Sequence, residues 1–391
     1  MISGWLIISI SALYIGLLFT IAYLGDKRST LYQRDFGRTV VYSLSLAVYC
    51  TSWTFYGAVG TAARSGLQFM PIYLGPILVM LLAGPFLQRM IVIARRNNST
   101  SIADFIATRY GKSTTLAVVI SLLAVVGILP YIALQLKAVS MGYAVLTQGA
   151  PPSDFNQVPL LQDTALYVAL SMAAFTILFG TRDIDATEHH QGMMQAIAFE
   201  SVVKLIAFVA VGSFVTWGLF GGIGDVVVRL EEAHLLESFS LSAVEPWSFT
   251  TQTLLAALAI FCLPRQFHTI AVENYQPRDM RIARWALPAY LIILTFFVVP
   301  IAAAGLLMYS SGTLDGDTFV LGIPLASGEN WLGVLAFIGG ASAATGMVIV
   351  STVTLSTMVS NEIILPLLLR SRRLDLSGQR NFEAWLLGIR R

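Results

Sequence analysis

Apolar residues in this chain do not alternate with polar ones; they run together. Nine such runs lie near residues 2–24, 38–62, 68–91, 115–148, 163–181, 188–220, 249–266, 282–310 and 331–366. Each has about the 20 residues, or more, that cross a hydrocarbon core as a helix. Lipid satisfies no backbone N–H or C=O, so the runs predict α-helices whose hydrogen bonds are internal. The pattern predicts an all-α polytopic membrane protein, with one transmembrane domain over residues 1–391. Between two runs, Val226–Leu236 predicts a short surface helix. Residues 331–366 would form a straight helix of about 54 Å against a core of about 30 Å. That helix tilts, extends beyond the bilayer or breaks, with Gly339-Gly340 and Pro366 as the candidate irregularities. Asn381–Ile389 reads as the start of a tenth helix, so the chain reads as a fragment of a longer protein.

The polar positions inside the runs carry the chemistry. The second run contains Tyr49-Cys50-Thr51-Ser52-Trp53-Thr54-Phe55-Tyr56-Gly57. Hydroxyls there either join helices to one another, or mark an interrupted helix whose freed backbone groups meet a solute near the midplane. On the second reading Tyr49, Thr51, Ser52, Trp53, Tyr56 and, from the fourth run, Gln135 bind substrate. Glu200 and Lys204 are four apart and share a helix face. They form either a satisfied pair or a proton or substrate relay, because ionisable groups in a membrane are costly and often functional. Lys137 also falls deep in its run, so two lysines share one carboxylate. One lysine must then find carbonyls or water, bind an anionic group, or lose its proton. Glu188 at the start of the sixth run joins Lys137, Glu200 and Lys204 as a coupling or relay candidate. Thr187 and Glu188 also suit a helix N-terminus.

Composition agrees with the pattern. The chain is 56% hydrophobic and 12% charged, against about 25% charged in soluble domains. A net charge of +2, with no basic cluster among aromatics, excludes a nucleic-acid partner. Cys50 and Cys262 give neither a disulfide framework nor metal spacing. His189 and His190 are adjacent, not four apart, so no metal and no cofactor is expected. Nucleophile, phosphate-loop and paired-carboxylate motifs are missing, so no enzyme is expected. Twenty of the 24 Lys and Arg fall in alternate loops, Arg265 among them with Arg278, Arg281 and Arg284. The positive-inside rule puts the N-terminus outside and Arg391 in the cytoplasm of a cell inner membrane.

Three stretches also carry a resemblance. Thr100-Ser101-Ile102-Ala103-Asp104-Phe105-Ile106-Ala107-Thr108-Arg109-Tyr110-Gly111, Thr187-Glu188-His189-His190-Gln191 and Leu263-Pro264 resemble features of the sodium/solute symporter family. The resemblance covers essentially the whole chain. It implies a LeuT-like fold, with two inverted five-helix repeats behind one extra N-terminal helix and the second repeat incomplete. Residues 52–57, 127–137 and 263–268 resemble the membrane module of CbrA-type sensor histidine kinases. That implies transport or sensing of an amino acid, histidine first. Its partners would be this small solute, the lipid bilayer, and a cytoplasmic kinase domain with its response regulator. A solute receptor without flux and a truncated, inactive remnant are the alternatives. In sodium-coupled members a Na⁺ site pairs the broken second span with hydroxyls on the ninth. Here Met347 and Val348 occupy those positions, and Tyr49 stands where some members carry Asp. Neither Met nor Val offers a hard oxygen, so the resemblance favours H⁺ over Na⁺ as the coupling ion.

Overall fold

A computed structural model describes residues 2–27, 35–149, 164–175, 177–178, 190–309 and 314–370. Sixteen helices follow in chain order. The first eight are α1 (Gly4–Lys27), α2 (Asp35–Ser45), α3 (Ala58–Ser65), α4 (Pro71–Leu82), α5 (Gly84–Arg96), α6 (Ile102–Arg109), α7 (Thr114–Gln148) and α8 (Thr164–Phe175). Then come α9 (Gln191–Ser213), α10 (Ile223–Glu232), α11 (Pro246–Cys262), α12 (Pro264–Phe267), α13 (Met280–Met308), α14 (Phe319–Ala326), α15 (Asn330–Met358) and α16 (Leu365–Arg370). No strand occurs among the described residues.

Among the described residues, five helices are long and apolar enough to cross a membrane: α1, α7, α9 continued to Leu219, α13, and α15 continued to Leu367. Two bent pairs raise the number to as many as seven: 53–69 with 71–82 at 62°, and 246–262 with 264–272 at 54°. Where they are described, the apolar runs fall mostly on helices, and fewer than nine of them are single spans. The run at 38–62 divides between α2 and α3. The run at 68–91 divides at Ala83, where the Gly84-Pro85 start of α5 forces a new first turn. The run at 163–181 lies partly outside the described residues. The expected surface helix is α10.

Burial sorts the spans into centre and rim. The apolar window of α15 is 83% buried, and those of α1 and α7 are 17% buried. Helix α15 is therefore the axis of the bundle. Contrary to the expected irregularity, it runs unbroken through Gly339 and Gly340. Those glycines serve close packing. A Cβ on Gly339 would fall 2.4 Å from Ala207 Cβ, and one on Gly340 would fall 1.9 Å from the Tyr56 hydroxyl oxygen. Small residues let helices approach in this way where no hydrophobic driving force separates helix from lipid. The same device joins α1 to α9, where a Cβ on Gly25 would lie 2.7 Å from Gly192 Cα. Asp26 of α1 then accepts the Gly192 N–H at 2.8 Å, capping α9 from a neighbouring helix. The Thr100–Gly111 stretch owes its shape to a local cap. Ser101 Oγ accepts the Asp104 N–H, Asp104 accepts the Thr100 N–H, and Gly111 takes φ +68°.

Candidate functional site

The second span breaks where its sequence turns polar. Helix α2 tightens to a 3₁₀ turn over Leu46–Tyr49, and Cys50 takes an extended backbone at φ −77°, ψ 109°. A π turn over Trp53–Gly57 leads into α3. The break strips carbonyls and amides of their helical partners. Unsatisfied groups at that depth cost several kcal/mol each.

Side chains from three other helices replace the lost partners. Lys204 Nζ of α9 donates to the carbonyls of Ala47 (2.6 Å) and Cys50 (2.9 Å). Gln266 of α12 donates to Leu46 O at 3.4 Å. Gln135 Oε1 of α7 accepts both the Ser52 N–H (3.1 Å) and the Ser52 hydroxyl (2.7 Å). Thr51 and Tyr131 hydroxyls lie 3.3 Å apart, and Trp53 Nε1 donates to Leu134 O. The break therefore draws Thr51, Ser52, Trp53 and Gln135 into one cluster. Tyr49 and Tyr56 leave it: their hydroxyls donate to Ile72 O of α4 and Ala336 O of α15.

Glu200 and Lys204 are both buried but do not pair with each other. Lys204 is committed to the broken strand of backbone. Glu200 Oε1 accepts the Thr345 hydroxyl, and Oε2 has no partner and rests against Gly346. Ser342, itself held by Tyr14, donates to the Glu200 carbonyl. An apolar groove of about 490 Å³ between α1, α7, α8 and α15 reaches Thr345. The Lys137 side chain is exposed on α7, two residues beyond Gln135 and within electrostatic reach of Asp317. Glu188 and His189 lie outside the described residues.

Sequence reasoning missed Arg265. Counted with the loop cations, it is instead 2% exposed, with its Cζ 4.9 Å from the centre of the Tyr131 ring. Leu263 is extended and α12 starts at Pro264, so the span bends and goes on rather than ending. The return of apolar residues at Ile270-Ala271-Val272 was the available signal. His190 was grouped with His189, but its partner is elsewhere. Its Nδ1 lies 2.8 Å from Glu273 Oε1, which is 3.2 Å from His268 Nε2. The ligand atoms of these three side chains lie within 4.8 Å of one another. They could converge on one divalent ion, although the carboxylate already bridges the two imidazoles.

Ion pairs close both ends of the broken span. At the α2 end, Arg38 meets buried Asp279 at 3.1 Å and Thr39 donates to the same carboxylate at 2.7 Å. Exposed Asp35 joins Arg38 and Arg278 there. At the α3 end, Arg64 reaches Asp315 and Asp317, each at 3.1 Å, beneath a hollow of about 490 Å³. Asp317 crowds so closely that a Cβ on Gly60 would sit 1.8 Å from its Oδ1. The two closures differ in strength. The Arg64 side chain is 54% exposed, where an ion pair contributes roughly 0–1 kcal/mol.

They also differ in pH response. Burial pushes the Asp317 carboxyl above the usual carboxylate range, more than Arg64 holds it down. Hydrogen bonds from Arg278 and Arg38 hold Asp35 below that range. A raised carboxyl favours the folded state when protonated, and that contribution fades as pH rises through its folded value. A lowered one contributes above its unfolded value and loses the contribution as pH falls. Falling pH therefore strips Arg64 of Asp317 before it affects Asp35. Spin labels on Ser65 and Ala326 should move apart as pH falls, before the Asp35 pairs respond, and Asp317→Asn should show the wider distance already at neutral pH. An unchanged distance in the wild type would contradict this order.

Comparison with known proteins fits the geometry. A family model described as the sodium:solute symporter family matches residues 33–310. YhjB, an uncharacterized symporter of Bacillus subtilis (strain 168), is 26% identical over 339 residues. The match takes in 84% of this chain and 63% of that protein, so the chain spans under two thirds of its relative. A Na⁺-coupled sialic acid symporter, solved in a substrate-bound outward-open state, is 12% identical with a TM-score of 0.66. The superposition covers 99% of this chain and 78% of the other. At that identity the likeness concerns the fold, and the expected LeuT-like polytopic helical fold is the fold of this chain.

Proposed function

We propose that this chain, which belongs to the sodium:solute symporter family, carries a small polar solute across the membrane by alternating access around the break at residues 46–52. The observation that carries the proposal is the break itself, with Thr51, Ser52, Trp53 and Gln135 gathered at it and ion pairs closing the span at either end. Discontinuous helices of this kind form solute sites near the midplane of transporters. Arg38 and Asp279 then close the cytoplasmic side, and Arg64 and Asp317 the outer side. That assignment, with the N-terminus outside and residue 391 in the cytoplasm of the inner membrane, follows the distribution of Lys and Arg.

The coupling ion in this proposal is H⁺ rather than Na⁺. Two carbonyls at the break, Ala47 O and Cys50 O, suit a hard cation, and the ammonium of Lys204 already meets both. The nearby hydroxyls have other partners: Thr345 donates to Glu200 and Ser351 to Met347 Sδ. Glu200 is the proton carrier, buried with one carboxyl oxygen unpartnered. An amino acid is the proposed solute, histidine first, on the likeness of residues 52–57, 127–137 and 263–268 to sensor-kinase membrane modules. The same likeness supports a second reading, in which the chain is a receptor that signals to a cytoplasmic kinase domain without net flux.

Counterflow of radiolabelled L-histidine in proteoliposomes separates the two. Transport predicts accumulation that persists when choline replaces Na⁺ at fixed pH and that loses its pH dependence in Glu200→Gln. Binding without counterflow would favour the receptor. Counterflow that collapses in choline would defeat H⁺ coupling.

A further inference from the structure

We infer that Arg265 anchors a carboxylate of the solute, so that the site selects small carboxylate-bearing solutes over neutral ones. The inference rests on the transport reading above and names its substrate class.

Every other buried charge among the described residues has a partner. Arg38 has Asp279, Asp317 has Arg64, and Glu273 has His190 and His268. Lys204 has two carbonyls and Glu200 has Thr345. Arg265 is the exception. It is 2% exposed, and its Nε and Nη1 meet no acceptor. An arginine cannot shed its proton to escape the cost of burial. An ion left unpaired in that environment costs several kcal/mol. A chain that keeps such a group at its centre needs an anion from outside.

The surroundings define that anion. The guanidinium lies over the Tyr131 ring, which leaves its edge for hydrogen bonds while its face is covered. Tyr131 leads to the break through its hydroxyl, 3.3 Å from that of Thr51. Arg265 is also within electrostatic reach of Tyr49, Cys50 and Lys204. The centre thus holds two cationic side chains, Arg265 and Lys204, against one carboxyl, Glu200. It attracts negative charge. Next to Arg265, Gln266 Oε1 is buried without a donor and can accept from a hydroxyl or amine on the same solute. A planar two-toothed donor fits the two oxygens of a carboxylate better than a single halide.

Melting of the purified full chain tests the inference. Acetate, glycine, L-proline and L-histidine are compared with their carboxamides and with chloride at equal ionic strength. At least one carboxylate should raise the wild-type melting temperature by several degrees, and its amide and chloride should not. Arg265→Gln should lose that shift. Without ligand, Arg265→Gln should melt no lower than wild type, because a stranded charge has been removed. Arg265→Lys keeps the charge without the fork and should bind the carboxylate at least ~10-fold more weakly. No response to any carboxylate, an equal response to the amide, or a shift retained in Arg265→Gln would overturn the inference. So would a fall in the ligand-free melting temperature, which would mean that the guanidinium holds the fold together. Counterflow keeps the two readings apart. Carboxylate binding without counterflow supports Arg265 and refutes transport, and counterflow confined to neutral solutes refutes Arg265 alone.

Discussion

Lys204→Ala should reduce solute uptake at least ~10-fold and should make the protein respond to sodium. The ammonium makes two hydrogen bonds to carbonyls of the broken span, at 2.6 and 2.9 Å. Hydrogen bonds to a charged group contribute about 1.5–3 kcal/mol each, and a buried acceptor left bare costs about 1–3 kcal/mol; Ala47 O keeps the Cys50 N–H at 2.9 Å, so the second cost falls on Cys50 O. Loss of the desolvated charge offsets part of this. The net effect is a loosened break, and Thr51 and Ser52 no longer hold their places opposite Tyr131 and Gln135. Alanine also leaves room between Ala47 O and Cys50 O. A hard cation with oxygen preference can enter that space. In choline buffer the variant should therefore melt several degrees below wild type and recover part of the loss in Na⁺, to which wild type stays indifferent. A variant as stable and as active as wild type would show that the carbonyls need no cation.

Gly340→Ala should cost about 3 kcal/mol, the upper part of the usual range for overpacking. The added methyl would lie 1.9, 2.1 and 2.4 Å from the Tyr56 hydroxyl oxygen, Cζ and Cε2. Tyr56 cannot swing aside. It is 1% exposed, its ring stands edge-on to Phe55 with centroids 5.0 Å apart, and its hydroxyl donates to Ala336 O. The strain passes directly into the π turn that leads out of the break. Yield of folded protein and melting temperature should both fall, and Tyr56→Leu in the same chain should restore much of the loss. Two independent penalties that simply add would show that the contact is not the cause.

The spans were legible because their signal is a sum over about 20 residues, which no single exception disturbs. The break was legible for the opposite reason: hydroxyls concentrated at Thr51, Ser52 and Thr54 contradict an otherwise lipid-compatible run. What answers the break could not be read. The spacing of Glu200 and Lys204 suggests a pair along one helix, yet each found a better partner across the bundle, in Thr345 and in the carbonyls of Ala47 and Cys50. Lys137 lies well inside its run, but its side chain is exposed on α7 with Asp317 rather than Glu200 within electrostatic reach, which spacing along one helix does not reveal. Arg265 misled in the other direction. A charge just after Leu263-Pro264 reads as a loop, and only the bend of the α11–α12 pair returns it to the interior. Gly339-Gly340 was read as weakness, where close approach to Ala207 and Tyr56 explains the glycines. In each case local spacing constrains a helix, and the partner across the bundle depends on tertiary packing.

The chain itself supplies the cation that holds its broken helix, the Lys204 ammonium against Ala47 O and Cys50 O. Binding of radioactive sodium to the purified protein at neutral pH tests this most directly, without knowledge of the solute. Wild type should show no saturable Na⁺ binding, and Lys204→Ala should acquire it. One equivalent of Na⁺ bound to wild type, undiminished with Lys204 in place, would contradict that expectation.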